Sequence, residues 1–488
     1  MAAWQVSRHH DSEQPPASEA ARGCALWALV CMCVLVAHPG RAIAQESPAP
    51  QSTLMPRQAL ELLGVPPQVQ VPDAPPQDGA GQALILSEFV AEASTYSLEV
   101  LSSDRSVASS RSSVQVSRRQ LGPRLDVSHS RGRGQLATIT SPDSPYFPRR
   151  DFTVTLRQPL FNFPAYVEVQ RKNHVLKSSE ADRDSTELRV ASESIATFFE
   201  LTRNSAVIAF SADYEKSLTT LLDHMKARTE GGAASPADLD RVAARVENAK
   251  AKLAEATGSY RASLATLKRQ VGRIPDSLAI PVDLVISLPS NSKLAYEEAV
   301  QSNIELQSAR HQLAAIDQEI RAARARFAPR IELEAVRNLN SNGSATTEPT
   351  RSEDKRIMLM ANLNIFSSGA DTAEIASIVS RREALAYRIM HAERKLKEDI
   401  EVTYAAVESV SKRVAPAIKE FEANKRVVEA FDQQLFLGGR TLLDVLDAQQ
   451  KLYESRIYAF QLMTADAQQK FSALRLLGRL AEIRLAGG

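Results

Sequence analysis

The sequence predicts a mostly α-helical α+β chain in which one helix-strand-strand-helix-helix unit occurs twice. Three observations carry this. Shifted by 206 residues the chain matches itself: Ser97-Leu98-Glu99-Val100 falls on Asn303-Ile304-Glu305-Leu306, Pro123-Arg124-Leu125-Asp126 on Pro329-Arg330-Ile331-Glu332, and Val271-Gly272-Arg273 on Leu477-Gly478-Arg479. Gly232 and Asp238 keep that register with Gly438 and Asp444, while Leu160-Phe161 meets Ile365-Phe366 at 205. A repeat at a fixed period has to be recognised before any fold is assigned. Second, period-two alternation follows a proline in each unit. Third, Ala165 to Glu230 holds neither proline nor glycine; its 66 residues would span roughly 100 Å as helix.

Arg22 precedes an apolar stretch from Cys24 to Ala37, and Ala42-Ile43-Ala44 is a small-x-small pattern. This reads as a secretory signal over residues 1–44, cut before Gln45. A polar leader of about 20 residues before Arg22 is longer than such signals ordinarily carry and leaves a later start codon open. All three cysteines (Cys24, Cys31, Cys33) precede the cut, so the mature chain has no disulfide or thiolate chemistry. Neither Cys31 nor Cys33 follows a small residue, which argues against a lipid anchor. Residues 45–81, rich in Pro, Gln and Gly, read as a flexible leader.

The first repeat, 82–273, opens with a helix over 83–120 that Pro123 ends. The second, 293–480, opens with a helix from Lys293 to Phe327, ended at Pro329, since proline bars helical geometry in the residue before it. Leu125 and Val127, then Phe152, Val154 and Leu156, alternate with polar residues. So do Ile331, Leu333 and Ala335, then Ile357 through Ile365. Such alternation suits strands, and Ser141–Pro145 and Ser341–Ser344 suit the turns between them. Two separated hairpins are too little for a stable sheet. From Ala370 to Leu437 the apolar residues Ile378, Leu385, Ile389, Leu396, Ile400, Val407, Val410 and Val414 trace a coiled-coil seam, which Pro416 should kink or interrupt. Residues 274–292 read as a linker and 481–488 as a short tail.

Each long helix ends at a glycine pair, Gly231-Gly232 and Gly438-Gly439. Each next helix opens with an expected capping box, Ser235-Pro236-Ala237-Asp238 and Thr441-Leu442-Leu443-Asp444. The stretch from Gly439 to Ala448, with the Leu-Phe strand ends at Phe161 and Phe366 and the twofold repeat, resembles the TolC-like outer-membrane efflux proteins of Gram-negative bacteria. The tip Arg440-Thr441-Leu442-Leu443-Asp444-Val445-Leu446-Asp447, without a lipid-anchor cysteine, is similar to the type I secretion branch.

That resemblance implies a homotrimer with a 12-stranded outer-membrane β-barrel and a long α-helical periplasmic tunnel. It implies a passive protein channel partnered by a periplasmic adaptor (membrane fusion protein), an inner-membrane ABC transporter, outer-membrane lipid and a translocated protein. Asp444 and Asp447 match aspartates ringing the periplasmic aperture; a capping role for Asp444 and a solvated-face role for Asp447 remain open. Arg440 matches a gate-latch arginine and Asp238 its acidic partner, but Leu435 and Ala237 depart from the latch's aromatic and hydroxyl positions. Small-molecule or drug efflux is the alternative within the fold, and a periplasmic coiled-coil adaptor the alternative of another class, disfavoured by two equal repeats with strand pairs.

The balance of 59 basic against 58 acidic residues gives no surplus for nucleic acid. His129, His174, His224, His311 and His391 show no ligand spacing, and no phosphate loop or nucleophile elbow occurs. The reading is therefore no enzyme, no cofactor and no metal. Terminal sequencing of the purified protein should find Gln45 first; an intact Met1 contradicts the secretory reading.

Overall fold

The computed structural model describes residues 51–70, 83–135, 146–342, 350–436 and 439–480, all within the unit Pro48–Gly488. The expected signal, the 141–145 turn, Gly438 and the 481–488 tail lie outside the described residues, as do Gly343 and Ser344 of the expected 341–344 turn, whose Ser341 and Asn342 are strand instead because they pair across the sheet.

The strands of the two repeats do not form separate hairpins. β3 (Arg124–Gly134), β4 (Phe147–Phe161), β7 (Arg330–Asn342) and β8 (Thr350–Asn362) make one sheet in the order β3-β4-β7-β8, antiparallel throughout. The β4–β7 pairing joins the repeats, with Leu156 opposite Ala335 and Phe152 opposite Leu339. One face is mostly apolar toward the helical end and turned outward, with Leu125, Val127, Leu156 and Leu359 exposed and Ile357 at 77% exposure, and toward the loops it carries Arg337 and Lys355 paired with Glu353. The opposite face is polar and internally bonded: the Arg157 guanidinium donates to Glu334 at 2.8 Å, and Thr153 to Asn338 at 3.0 Å. The last strand ends at Asn362 rather than continuing to Ile365. Asn362 is paired with Arg330, and the next residue back on β7 is Pro329, which has no N–H to extend the ladder. Phe366 therefore lies beyond the sheet, whereas Phe161 closes β4.

Both opening helices are broken where one helix was expected. α2 (Leu86–Tyr96) and α3 (Leu98–Arg119) meet at Ser97; α6 (Ser292–Ser302) and α7 (Ile304–Ala325) meet at Asn303. Ser97 and Asn303 share φ −65° and ψ 118° and cap the helices that follow. Asn303 Oδ1 accepts from Leu306 N–H at 3.0 Å, Ser97 Oγ more weakly from Val100 N–H at 3.5 Å. A cap side chain supplies the acceptor that the first helical turn lacks, so the break costs little.

α4 (Phe163–Glu230, 68 residues) starts two residues before the breaker-free run, with Pro164 in its first turn. α5 (Pro236–Val271) and α9 (Leu442–Leu476) return from the tips. α8 (Ala370–Phe436) runs through Pro416 without interruption. Pro416 is on the exposed side while Ala417 and Phe421 are buried, so the missing donor faces out and the packed side holds. Along the α8 seam Ile378, Ile389, Leu396 and Ile400 are buried, Ile378 against Ile320 and Ala323 of α7.

The central core is aromatic. Phe198 and Phe199 of α4 meet Phe89 of α2 and Phe471 of α9, and Phe210 meets Phe460 edge-on at 6.0 Å between ring centroids. Tyr214 and Tyr453 stack at 4.6 Å. Residues 51–70, expected to be a flexible leader, fold onto this core as β1 (Gln51–Leu54), α1 (Arg57–Leu63) and β2 (Gln68–Gln70). Their partners are in the expected linker: β1 pairs with β6 (Leu284–Ser287), β2 with β5 (Ser277–Ala279). Leu54, Leu60, Leu63 and Leu278 are fully or nearly fully buried, worth about 1.5–3 kcal/mol per leucine. Arg456 of α9 fastens the segment, donating to the Leu63 carbonyl at 2.8 Å and pairing with Asp213 of α4.

The duplication is visible in one steric detail. Gly272 and Gly478, 206 apart, sit past the ends of α5 and α9 at φ +83° and +70°. A Cβ at Gly272 would lie 2.7 Å from the Tyr96 ring; one at Gly478 would lie 3.0 Å from the Ser302 carbonyl. Tyr96 and Ser302 are themselves 206 apart and precede the two breaks. Gly272→Ala and Gly478→Ala should each destabilise the fold by about 1–3 kcal/mol. Gly258→Ala, inside α5 with nothing near, should stabilise by about 0.5–1 kcal/mol. Thermal unfolding followed by circular dichroism checks the opposite signs.

Candidate functional site

The two tip turns are built differently. After α4, Gly232 takes the left-handed conformation at φ +72°, and Ala233 N–H closes back on the Arg228 carbonyl at 2.7 Å. Ser235 caps α5 by accepting from Ala237 N–H at 3.2 Å. Asp238 does not reach back; its carboxylate takes Arg241, one turn on, at 3.5 Å. The expected first capping box is thus only half formed, since the serine hydroxyl bonds one residue early and Arg241 competes for the acid. The second tip has the full box. Asp444 N–H donates to Thr441 Oγ1 at 3.3 Å, while Asp444 Oδ2 accepts from Thr441 N–H at 3.3 Å and from its hydroxyl at 2.8 Å.

Those bonds separate the two aspartates. The Asp444 carboxylate is held at the cap, half-buried. Asp447, one turn on, is exposed and has no hydrogen-bond or ion-pair partner among the described residues. Arg440 and Asp238 are not brought together within the chain. Arg440 Nε donates to Gln434 Oε1 at 3.1 Å, and its guanidinium lies 4.4 Å from the centroid of the Phe431 ring. The aromatic that engages this arginine is therefore Phe431, one turn before the expected position at Leu435. Leu435 is buried instead, and its carbonyl accepts from Arg228 of α4 at 3.4 Å, a direct tie between the two hairpin tips. Gly439 N–H closes the end of α8 on the Gln434 carbonyl at 3.0 Å.

Sequence reasoning missed a polar group just above the tip. Asp432 of α8 and Gln449 of α9 border a cavity of about 420 Å³, together with Lys216, Thr220 and His224 of α4. Gln449 is only 5% exposed; its amide nitrogen points at Asp432 at 3.5 Å while its Oε1 is buried without a donor. Burial pushes the Asp432 carboxyl above its usual range, and the Gln449 contact offsets this only in part. The one signal for it in the sequence was an acid at a helix position packed against a second helix.

Of the histidines, His174 and His311 do meet, with ring centroids 6.3 Å apart across α4 and α7. Burial, then Lys177, then His311 hold His174 below its ordinary pKa. No group of three or more metal-ligating side chains occurs among the described residues.

The family described as outer membrane efflux protein matches residues 91–273 and 295–479. The alkaline protease secretion protein AprF of Pseudomonas aeruginosa is 27% identical over 376 residues, 73% of this chain and 78% of AprF. The pyoverdine export outer membrane protein OpmQ of the same species is 24% identical over 308 residues, 62% of this chain and 64% of OpmQ. Among solved structures, CusC superposes with a TM-score of 0.72 at 15% identity, over 88% of this chain and 99% of CusC. The CmeC outer membrane channel of Campylobacter jejuni gives 0.71 at 15%, over 81% and 86%.

The Asp432 environment predicts a pH effect of definite sign. Its raised pKa favours the folded state below the ordinary carboxylate range, and that contribution is lost as pH rises through the raised value. Asp432→Asn should therefore raise the thermal midpoint at pH 7, with the difference shrinking toward zero below about pH 4. Melting curves of both proteins across this range test it; a gap independent of pH contradicts the assignment.

Proposed function

This chain belongs to the outer membrane efflux protein family, an outer-membrane channel with a large periplasmic part, and on that premise we infer that it serves a type I protein secretion system. In this reading it passively conducts a protein from an inner-membrane ABC transporter, through a periplasmic adaptor, to the exterior. Three copies assemble, and four strands from each close a barrel of twelve. The observation that carries the reading is the tip from Arg440 to Asp447, whose box fixes both acids one turn apart on α9. The likeness to a protease secretion protein supports it. A second reading, small-molecule efflux, is favoured by the likeness to a pyoverdine exporter and to the toluene efflux pump protein TtgI of Pseudomonas putida. Deleting the gene and comparing the secreted proteins separates them: loss of one secreted protein supports secretion, and unchanged secretion with new solute sensitivity supports efflux.

At the tip, three copies bring six carboxylates around a narrow axis, where low-dielectric walls focus their field. Because the Asp444 carboxylate already serves the cap, Asp447 carries the larger part of that field. Arg440, in the turn after α8 and held back against that helix by Phe431 and Gln434, stiffens the tip. In planar bilayers the channel should be cation-selective and blocked by multivalent cations from the periplasmic side. Asp447→Ala should remove most of the block with assembly intact. Asp444→Ala should weaken the block less but cost about 1 kcal/mol in stability through the lost cap. Retention of the full block by the double alanine variant places the gate elsewhere.

A further inference from the structure

We propose that the outward face of the sheet carries, at its loop end, a binding site for the phosphate groups of outer-leaflet lipid, formed by Arg131, Arg150 and Arg351. The inference rests on the outer-membrane location of the sheet and not on the type of cargo.

Register places the three arginines in one cross-strand row. Arg131 of β3 is opposite Arg150 of β4, Arg150 opposite Ser341 of β7, and Ser341 opposite Arg351 of β8. All three share the face of Leu125, Leu156 and Ile357, since successive side chains alternate between faces. Arg133 lies one row further out on the same face. The helices α3, α4, α7 and α8 all join the opposite end of the sheet, so with the helices periplasmic this row is at the external boundary.

Depth agrees. Ile331 begins the apolar face on β7, Leu339 is its last apolar residue there, and Ser341, in the arginine row, lies ten residues on; the charges of that face in between, Arg337 and Lys355, are both paired with Glu353. At about 3.4 Å per residue and about 40° tilt this is about 26 Å along the membrane normal, against an apolar band about 25 Å tall. The row falls where hydrocarbon gives way to headgroups.

Charge pairing sets these residues apart. Arg124 pairs with Asp126 and Arg149 with Asp151, each at 2.9 Å. Arg157 pairs with Glu334 and Arg337 with Glu353 at 2.8 Å, and Arg356 with Asp354 at 3.0 Å. Arg131, Arg133, Arg150 and Arg351 have no carboxylate partner among the described residues; elsewhere in the sheet only Arg330, at the helical end, shares that state. Two like charges directly opposite on neighbouring strands repel, so Arg131 and Arg150 form an unfavourable pair until an anion bridges them. A phosphate monoester fits: guanidinium groups bind its oxygens in bidentate fashion, and a headgroup anchored in the leaflet presents it at this depth.

The test uses the purified, assembled full chain in neutral phosphatidylcholine nanodiscs containing a small fraction of diphosphorylated lipid A or its dephosphorylated form. Lipid retained per protein after detergent extraction is counted by mass spectrometry. The wild type should retain the phosphorylated form about tenfold over the dephosphorylated one. R131Q/R150Q/R351Q should reduce that preference to near unity; the corresponding triple lysine variant should keep part of it, and R356Q, on the inner face, all of it. Equal retention of the two lipids by the wild type, which needs no variant to fold, overturns the proposal, as does undiminished preference in the triple glutamine variant. Complete displacement by inorganic phosphate at about 10 mM overturns the assignment to lipid, since a headgroup anchored in the leaflet gains effective concentration that a free ion lacks. Channel insertion into neutral bilayers, recorded in parallel, reports on the outer-membrane reading separately.

Discussion

A sheet ordered β3-β4-β7-β8 leaves the outer edges of β3 and β8 with backbone N–H and C=O groups that the chain itself does not pair. Beside those edges lies an exposed apolar face. In hydrocarbon each unsatisfied backbone group costs several kcal/mol, and only closed barrels or helices span a bilayer. No helix among the described residues is long and apolar enough to cross a membrane. The burden therefore falls on the sheet, and the assembly proposed above, closure by further copies, would satisfy its edges. From this constraint follow the polar inner face with Arg157 on Glu334, the apolar outer face, and helices that all leave from one end.

The helical part solves a second problem. Helices as long as α4 and α8 offer narrow apolar stripes, and such stripes need neighbours. The chain supplies them in the middle, where Phe89, Phe198, Phe199, Phe460 and Phe471 fill a core shared by α2, α4 and α9. Over that core fold β1, α1 and β2 from before the first repeat, with β5 and β6 from between the repeats. Arg456 links this layer to α4 through Asp213. Toward the tips the apolar packing continues through Met225, Val242, Leu435, Val445 and Leu446, and polar ties join it: Arg228 to the Leu435 carbonyl, Arg440 to Gln434 and Phe431, and Arg245 to Gln450 at 2.8 Å.

Much of the architecture was legible because it is written in breakers. Pro123 and Pro329 ended helices and began strands, and the glycine pairs ended the long helices. The run without proline or glycine marked α4 to within two residues. What escaped depends on partners distant in sequence. The average composition of residues 45–81 concealed Leu54, Leu60 and Leu63, whose burial needs β5 and β6 more than 200 residues away. The breaks at Ser97 and Asn303 lay inside the strongest internal match, yet a serine or asparagine within a helical pattern does not announce a cap. At the tip, the box at Thr441 was readable from local spacing, and the half-box at Ser235 was not, because Arg241 decides it. Phe431 in place of Leu435 shows the same limit: geometry one turn away determined which side chain meets Arg440.

The central claim is that β8 of one copy pairs with β3 of the next and that three copies close the ring. Residues 45–488 contain no cysteine, so a cysteine at Ser128 on β3 can be combined with single cysteines walked along β8 from Arg351 to Ala361. Within one chain β3 and β8 are three strand spacings apart, about 14 Å, well beyond the roughly 7 Å a disulfide tolerates. Oxidation in isolated outer membranes should then give, at one register, a ladder of one, two and three linked chains that stops at three. Monomers at every register, or a ladder continuing past three, contradicts the account.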